Sequence, residues 1–182
     1  METKTISNTE LHSLIVGYDL HTQIFSNLID GISKTNAHNL FDTPANHILR
    51  IITELVQKRY DLANETGLQL EPKASAFYND HQDIPDNIIY PLLNEFKKDW
   101  EKITSVLRDA LLNLNDDQLN SFCSIERPDF DTDTSLLGAI GFFIYLETYK
   151  IGQISLWQSY WGNSGKNFDE HIIKMETDYQ DN

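Results

Sequence analysis

Apolar residues recur at helical spacing in four long stretches of the chain, and each stretch predicts an amphipathic α-helix. The predicted helices cover residues 11–32, 45–66, 90–114 and 134–161. The last is the longest, because its apolar repeat continues without a proline for about seven turns, or roughly 40 Å at 1.5 Å per residue. Together the four elements predict an all-α four-helix bundle, with a long connection over residues 68–89 between the second and third helices.

Residues with known preferences for helix ends support these boundaries. Gly31 lies at the end of the first helix and Gly67 follows the second, where a glycine commonly ends a helix. Thr43-Pro44 is a typical start for the second helix, and an Asp or Thr precedes the apolar repeat of the last. The run that begins at Asn115 resembles a capping box and predicts a short extra helix through Phe122.

The charge of the chain narrows the classes of partner. The 182 residues suit a single domain, and 14 Lys+Arg against 28 Asp+Glu give a formal net charge of −14. An acidic protein repels phosphate backbones and anionic lipid head groups, so nucleic acid and membrane surfaces are poor partners. Solubility is a sufficient explanation of the charge itself.

Features that bear on the cellular compartment predict a cytoplasmic protein. Cys123 is the one cysteine, so no intramolecular disulfide can form and a reducing compartment fits best. The first ten residues lack a basic segment followed by an apolar one, so no signal peptide is expected. No run of about 18 apolar residues indicates a membrane span.

Polar residues that interrupt apolar stripes are the candidates for chemistry. His21 lies near the stripe of the first helix, where a packed or hydrogen-bonded role is more common than a metal-binding one. Glu54 lies beside the stripe of the second helix and must reach solvent or find a partner, because an unpaired buried carboxylate is costly. Glu147, Lys150 and Gln153 interrupt the last helix.

The third helix carries a charge run that predicts a solvated face rather than a binding patch. Its members are Glu95, Lys97, Lys98, Asp99, Glu101 and Lys102. The sequence contains no glycine-rich phosphate loop, no H-E-x-x-H zinc motif and no G-x-S-x-G nucleophile motif.

Two segments carry a resemblance to a known family. The L-E-T-Y-K-I-G-Q run from Leu146 to Gln153 resembles the H-E-x-Y-H-x-G-Q segment on the last helix of the DinB/YfiT-like superfamily. The N-H-I-L-R-I-I-T-E-L run from Asn46, followed by K-R-Y and then Gly67, resembles that family's N-H-x-x-W-x-x-G-H-L…R…G-L segment. The similarity covers roughly residues 11–162 and implies the bundle fold of that family.

The resemblance also implies where a metal site would lie. Members of the family typically hold a divalent metal with three histidines, and the matching positions here are Glu54, Leu146 and Lys150. None is a histidine, Leu146 has no ligating atom, and a protonated Lys150 carries positive charge where a cation would bind. The sequence therefore predicts a degenerate metal site and no metal cofactor.

Several hypotheses about these positions remain open. Glu54 and Lys150 can pair across the bundle, with the ammonium group replacing the metal charge, or both can extend to solvent at a helix edge. His47 and His21 are possible replacement ligands, with Glu54 and Glu147 as carboxylates. His47 and Glu54, however, lie about 10 Å apart along one helix, too far to share an ion without ligands from other helices. Glu147 is expected to cap or pair locally.

The segment Gly152-Gln153 is expected to mark a close crossing of two helices. A glycine there lets backbones approach, and the glutamine amide supplies a hydrogen bond.

Three functions follow as alternatives. The first is a non-catalytic small-molecule-binding or stress-related protein that keeps the family's pocket. The second, implied by the resemblance, is a thiol-dependent transferase or isomerase, against which the missing histidines count. The third is a structural homodimer with Trp157, Tyr160 and Trp161 supplying the contact. An inward Trp157 would favour ligand binding, and outward aromatic residues would favour dimerisation.

Overall fold

The computed structural model describes the chain as a set of α-helices. The residues described are 9–30, 32–33, 36, 48–72, 93–125 and 135–161. The helices in them are α1 (Thr9–Asp30), α2 (Ile48–Glu65), α3 (Leu93–Leu112), α4 (Asp116–Leu119) and α5 (Leu136–Tyr160). Outside them, Phe122 and Ser135 form an isolated antiparallel bridge. The all-α prediction is confirmed, and the long helices begin and end within three residues of their predicted bounds.

The helix ends follow from local hydrogen bonding. Gly67 has a φ of +92°, which glycine adopts without strain, and its N–H donates to the carbonyl of Asn64 at 3.0 Å. α2 therefore stops where the sequence predicted. Asn115 and Gln118 form the predicted capping box, but α4 ends at Leu119 rather than continuing through Phe122.

The cap of α5 differs from the prediction. Ser135, not a preceding Asp or Thr, is the N-cap, because its side chain accepts from the N–H of Gly138. The signals at Gly31 and Thr43-Pro44 lie outside the described residues.

The four long helices enclose one apolar core. α1 packs against α5 and α3, and α2 packs against the same two helices. Each long helix thus has two neighbours, and buried side chains from all four meet in a continuous cluster. Phe25 of α1 and Trp100 of α3 are fully buried there, with ring centroids 4.0 Å apart.

α1 and α5 pack tightly at Gly17, and the predicted Gly152 does not mark a close crossing. A Cβ on Gly17 would meet a methyl group of Ile144 at 3.2 Å, whereas a Cβ on Gly152 would meet nothing within 4 Å. The amide that links these helices belongs to Gln158, whose Nε2 donates to the carbonyl of Leu28.

The hydrogen bond expected from the Gln153 amide is not made through its oxygen atom. Its Oε1 is buried without a hydrogen-bond partner among the residues described. Apolar residues lie on nearly every side of α5, so their spacing alone does not show which side of the helix faces the core.

The charge run of α3 contains one further exception. Asp99 is buried, although the sequence predicted that it faces water. On a helix, residues three and four positions apart share a face, and Asp99 therefore lies beside the buried side chains of Phe96 and Ile103. Within the described part of the chain, no helix is both long and apolar enough to cross a membrane.

Candidate functional site

The centre of the core holds three charged or titratable side chains from three helices. Arg59 of α2, Glu147 of α5 and His21 of α1 are all buried. Arg59 Nε donates to Glu147 Oε1 at 2.6 Å, and Arg59 Nη2 donates to Glu147 Oε2 at 3.0 Å. The prediction that Glu147 caps or pairs locally is wrong, because Glu147 shares the inward face of α5 with Phe143 and Ile151.

The remaining donors of Arg59 are also used. Nη1 donates to the hydroxyls of Thr22 and Thr104, at 2.9 and 2.6 Å, and Nη2 also reaches the Tyr18 carbonyl at 3.5 Å. With the two bonds to Glu147, all five N–H groups of the guanidinium point at acceptors.

The faces of the same guanidinium contact aromatic rings. The carbon atom at its centre lies 3.9 Å from the ring centroid of Tyr18 and 3.5 Å from that of Trp100. Cation–π attraction over both rings and the two bonds to one carboxylate compensate for removing the charge from water.

His21 extends this cluster toward the surface. Its Nδ1 lies 3.1 Å from Glu147 Oε2, and because an ionised carboxylate only accepts hydrogen bonds, Nδ1 is the protonated nitrogen. Its Nε2 lies 3.1 Å from the hydroxyl of Thr148. The sequence prediction of a hydrogen-bonded His21 is confirmed.

The cluster also sets the ionisation of its members. Burial by itself would raise the pKa of Glu147, but the Arg59 guanidinium and the His21 hydrogen bond outweigh it and hold that pKa below its ordinary value. Glu147 therefore stays charged inside the core. Burial raises the pKa of Tyr18 to about 12 despite the neighbouring Arg59, so its hydroxyl stays protonated and donates to the carbonyl of Thr104 at 2.9 Å.

The order Glu147, His21, Thr148 matches the carboxylate, imidazole and hydroxyl of a nucleophilic triad, but the surroundings do not fit that chemistry. The Thr148 hydroxyl also lies 2.9 Å from the carbonyl of Ile144, so one proton serves two acceptors. Thr148 lies within α5, whose backbone N–H groups donate inside the helix and cannot stabilise an oxyanion. We therefore interpret this cluster as a structural link between helices.

A second cluster joins α2 to α5 near the surface. Lys150 Nζ lies 2.5 Å from Glu54 Oε2, and Arg50 Nε lies 3.2 Å from Glu54 Oε1. The predicted pairing of Glu54 with Lys150 is confirmed, with Arg50 as a partner that the sequence did not suggest. All three side chains are partly exposed, so the alternative of solvent contact also holds in part.

The remaining predicted residues do not complete a ligand set. Leu146 is partly buried one turn before Lys150, and His47 lies outside the described residues. A carboxylate, an alkyl chain and an ammonium group do not suit a divalent cation. No group of three or more His, Cys, Asp or Glu side chains suitable for a metal occurs in the described ranges.

Trp157 is half-buried against the core rather than directed fully inward or outward. Its ring stacks on Trp161 at 6.3 Å between centroids and meets Tyr160 edge-on at 6.4 Å. Tyr160 itself is largely exposed. Trp157 and Trp161 both pack against the core while Tyr160 is exposed, so the aromatic residues match neither of the two predicted arrangements completely.

Sequence reasoning missed Arg59 as the centre of the core cluster. Arg59 stands in the K-R-Y run of the segment that resembles the family, and the spacing of the apolar residues around it also indicates a buried position. Arg59 lies three and four residues after Val56 and Leu55, and three before Leu62, so it falls on the buried face of α2.

Comparisons with known proteins were made for the whole chain. No family model matches it, and neither does any curated protein or any solved structure.

Proposed function

We propose that this chain is a non-catalytic bundle of the DinB-like type that binds a small anionic molecule where related bundles hold a metal. The observation that carries the proposal is the cluster of Arg50, Glu54 and Lys150. Two cations, one from each helix, converge there on one carboxylate, on a chain of net charge −14.

The chemistry of the cluster determines the class of ligand. Lys150 has three N–H donors, and Glu54 accepts charge-assisted bonds from both Lys150 and Arg50. A carboxylate or phosphate group can take further donors without displacing Glu54, and charge-assisted bonds of this kind are the strong ones. Partial exposure of the three side chains gives a ligand access.

The same proposal includes the statement that the chain has no catalytic activity. The transferase or isomerase alternative, which the resemblance associates with a metal, needs ligands that Glu54, Leu146 and Lys150 do not provide. Arg59 and the His21 N–H occupy the Glu147 carboxylate. The remaining acceptor, His21 Nε2, faces the Thr148 hydroxyl, where the backbone N–H groups of α5 cannot stabilise an oxyanion.

Nuclear magnetic resonance titration of the ¹⁵N-labelled chain tests ligand binding, with inorganic phosphate and citrate as probes. We expect saturable shifts of backbone amides near Arg50, Glu54 and Lys150, and their loss in Lys150→Met. The matched control is Lys97→Met, which breaks another Lys–carboxylate pair between helices, with Asp30 at 2.7 Å. Shifts that do not saturate, or that survive Lys150→Met, would contradict the proposal.

Metal analysis tests the relation to metal-binding bundles. After exposure to Zn, Ni, Mn and Fe, we expect the unmodified chain to retain no stoichiometric metal by plasma mass spectrometry. The triple variant Glu54→His/Leu146→His/Lys150→His is expected to gain it. A control triple with Glu54→His/Tyr145→His/Tyr149→His directs two imidazoles outward. Metal on the unmodified chain, or none on the first triple, would count against the proposed relation.

A further inference from the structure

One edge of α5 carries a stripe of half-buried side chains that includes part of the proposed anion site. The members recur at steps of four, three and four residues and therefore share one face of the helix: Leu146, Lys150, Gln153 and Trp157. We refer to these four side chains as the α5 edge. Lys150 reaches Glu54 of α2 from this edge. The two polar members lie about one helical turn apart between two apolar ones, so the polar part of the edge matches a small molecule in length.

The amide oxygen of Gln153 is a buried acceptor without a bond from the protein. No donor in the described part of the chain reaches Oε1. Buried polar atoms are nearly always paired in folded proteins, because an acceptor that leaves water without gaining a new donor destabilises the fold. An acceptor kept at this cost is a candidate contact for a molecule that brings its own donor.

A second glutamine beside the same ion pair provides a comparison. Gln57 lies three residues after Glu54 on α2, just as Gln153 lies three residues after Lys150 on α5. The Gln57 amide is used by the protein, because its Nε2 donates to Asp61 Oδ1 at 2.6 Å. Nearness to the ion pair therefore does not by itself leave a glutamine amide without a bond. The unmet acceptor is a property of the α5 edge.

Charge determines what kind of donor suits Gln153 Oε1. Residues three apart on a helix have Cβ atoms about 5–6 Å from each other, so an anion held by Lys150 lies within reach of Gln153. An ammonium donor would bring a further positive charge next to Lys150 and Arg50, and like charges repel. A hydroxyl group donates to Oε1 without adding charge. The α5 edge therefore favours a molecule that carries an anionic group and a hydroxyl on neighbouring atoms.

We infer that the anion bound at the proposed site is a hydroxy acid, whose carboxylate contacts Lys150 and whose hydroxyl donates to Gln153 Oε1. This inference rests on the proposed function, because Lys150 supplies the charge that holds the anion. Gln153 then determines specificity. A matched anion without the hydroxyl leaves Oε1 unpaired, and a site with such an acceptor discriminates against that analogue.

Citrate and tricarballylate are the probes for the first test. Both anions carry three carboxylates on the same carbon chain, and they differ by the central hydroxyl of citrate. Repulsion by the net charge of −14 therefore affects both alike. In nuclear magnetic resonance titrations of the ¹⁵N-labelled chain, we expect a dissociation constant about tenfold lower for citrate, which corresponds to one additional hydrogen bond.

Two glutamine variants test which side chain reads the hydroxyl. Gln153→Met removes the acceptor and keeps the length of the side chain, and we expect it to bind citrate and tricarballylate equally. Gln57→Met is the matched control, because it removes a glutamine amide at the same sequence distance from the ion pair, one that bonds to Asp61 instead. This control should keep the preference for citrate.

Thermal unfolding without a ligand tests whether the fold itself uses the Gln153 oxygen. Because Oε1 accepts no bond within the described part of the chain, Gln153→Met should keep the melting temperature of the unmodified chain or raise it. A clear fall in melting temperature would show that the amide is needed for folding, and it would count against the inference.

The outcomes separate this inference from the proposed function. Equal binding of citrate and tricarballylate that is lost in Lys150→Met would support the anion site and overturn the hydroxy-acid assignment. A preference for citrate that survives Gln153→Met would also overturn the assignment, because the hydroxyl would then contact another group. If neither anion binds, the proposed function and this inference both fail.

Discussion

Two clusters of charge connect α2 to α5, and they differ in surroundings rather than in distance. In the core, Arg59 Nε and Glu147 Oε1 are 2.6 Å apart, with 1% and 4% of their side chains exposed. Near the surface, Lys150 Nζ and Glu54 Oε2 are 2.5 Å apart, with 19% and 35% exposed. A short distance alone therefore does not reveal which pair holds the helices together.

The two ion pairs differ in what surrounds the remaining carboxylate when its cation is removed. If Lys150 is removed, water solvates the Glu54 carboxylate, and the cost is small. If Arg59 is removed, Glu147 remains a charge in an apolar interior, and the cost is large. The core pair is thus required for the fold, whereas the surface pair remains open to solvent and to a ligand.

The largest expected effect is from Arg59→Met. It should lower the free energy of unfolding by about 3–5 kcal/mol, because it leaves the Glu147 carboxylate buried without its cation. Urea denaturation measures this loss. The control is Arg108→Met, which breaks a doubly bonded pair with Asp19 at 2.7 and 2.8 Å near the surface. That change should cost no more than about 1 kcal/mol, and equal losses in the two variants would refute the comparison.

A smaller effect is expected from Thr104→Val. It removes the hydroxyl that accepts from Arg59 Nη1 at 2.6 Å and leaves a charged donor short of a partner. A hydrogen bond to a charged group contributes about 1.5–3 kcal/mol, and the free energy of unfolding should fall by that amount. Ser105→Ala, at the next position on the exposed side of α3, should change it little. A Thr104→Val variant as stable as the unmodified chain would mean that Arg59 does not need this acceptor.

Acid should weaken the core cluster through Glu147. Its folded-state pKa lies below the ordinary value of 4.5, so the stabilisation is fully present above pH 4.5 and is lost as the pH falls through the folded-state pKa. One group contributes at most about 1.4 kcal/mol per pH unit to this slope. Denaturation at a series of acidic pH values should give a shallower slope for Glu147→Gln. Identical slopes would show that Glu147 does not titrate on unfolding.

The smallest effect is expected from Lys150→Met. Because Lys150 and Glu54 are partly exposed, their pair should contribute no more than about 1 kcal/mol, and salt should screen most of it. Melting temperatures in low and high salt measure the difference, with Lys97→Met as the control. A loss of stability comparable with that of Arg59→Met would show that the fold requires Lys150 and that this residue does not lie at a site open to a ligand.

A feature of the fold or of the site could be predicted from the sequence where it depends on residues that lie close together in the chain. The helices were predictable because apolar spacing is local, and Gly67 and Asn115 mark helix ends by their own chemistry. Glu54 and Lys150 are 96 residues apart, and they could be paired because each interrupts an apolar stripe and the resemblance aligns both with one metal site.

The core cluster was not predictable in this way. Arg59 and Glu147 are 88 residues apart, and nothing in the spacing around either one indicates its partner. The side of α5 that faces the core could not be predicted for a different reason. Apolar residues lie on nearly every side of that helix, so the sequence predicts a close helix crossing at Gly152, although this residue is exposed.

The contacts of Arg59 also bear on how the molecule opens. This one side chain on α2 bonds to Thr22 of α1, Thr104 of α3 and Glu147 of α5. If any one of these helices detached, a guanidinium N–H would lose its acceptor while the rest of the group stayed out of water. Partial opening is therefore costly, and amide hydrogens in the middle of all four long helices should exchange with solvent in a single cooperative event.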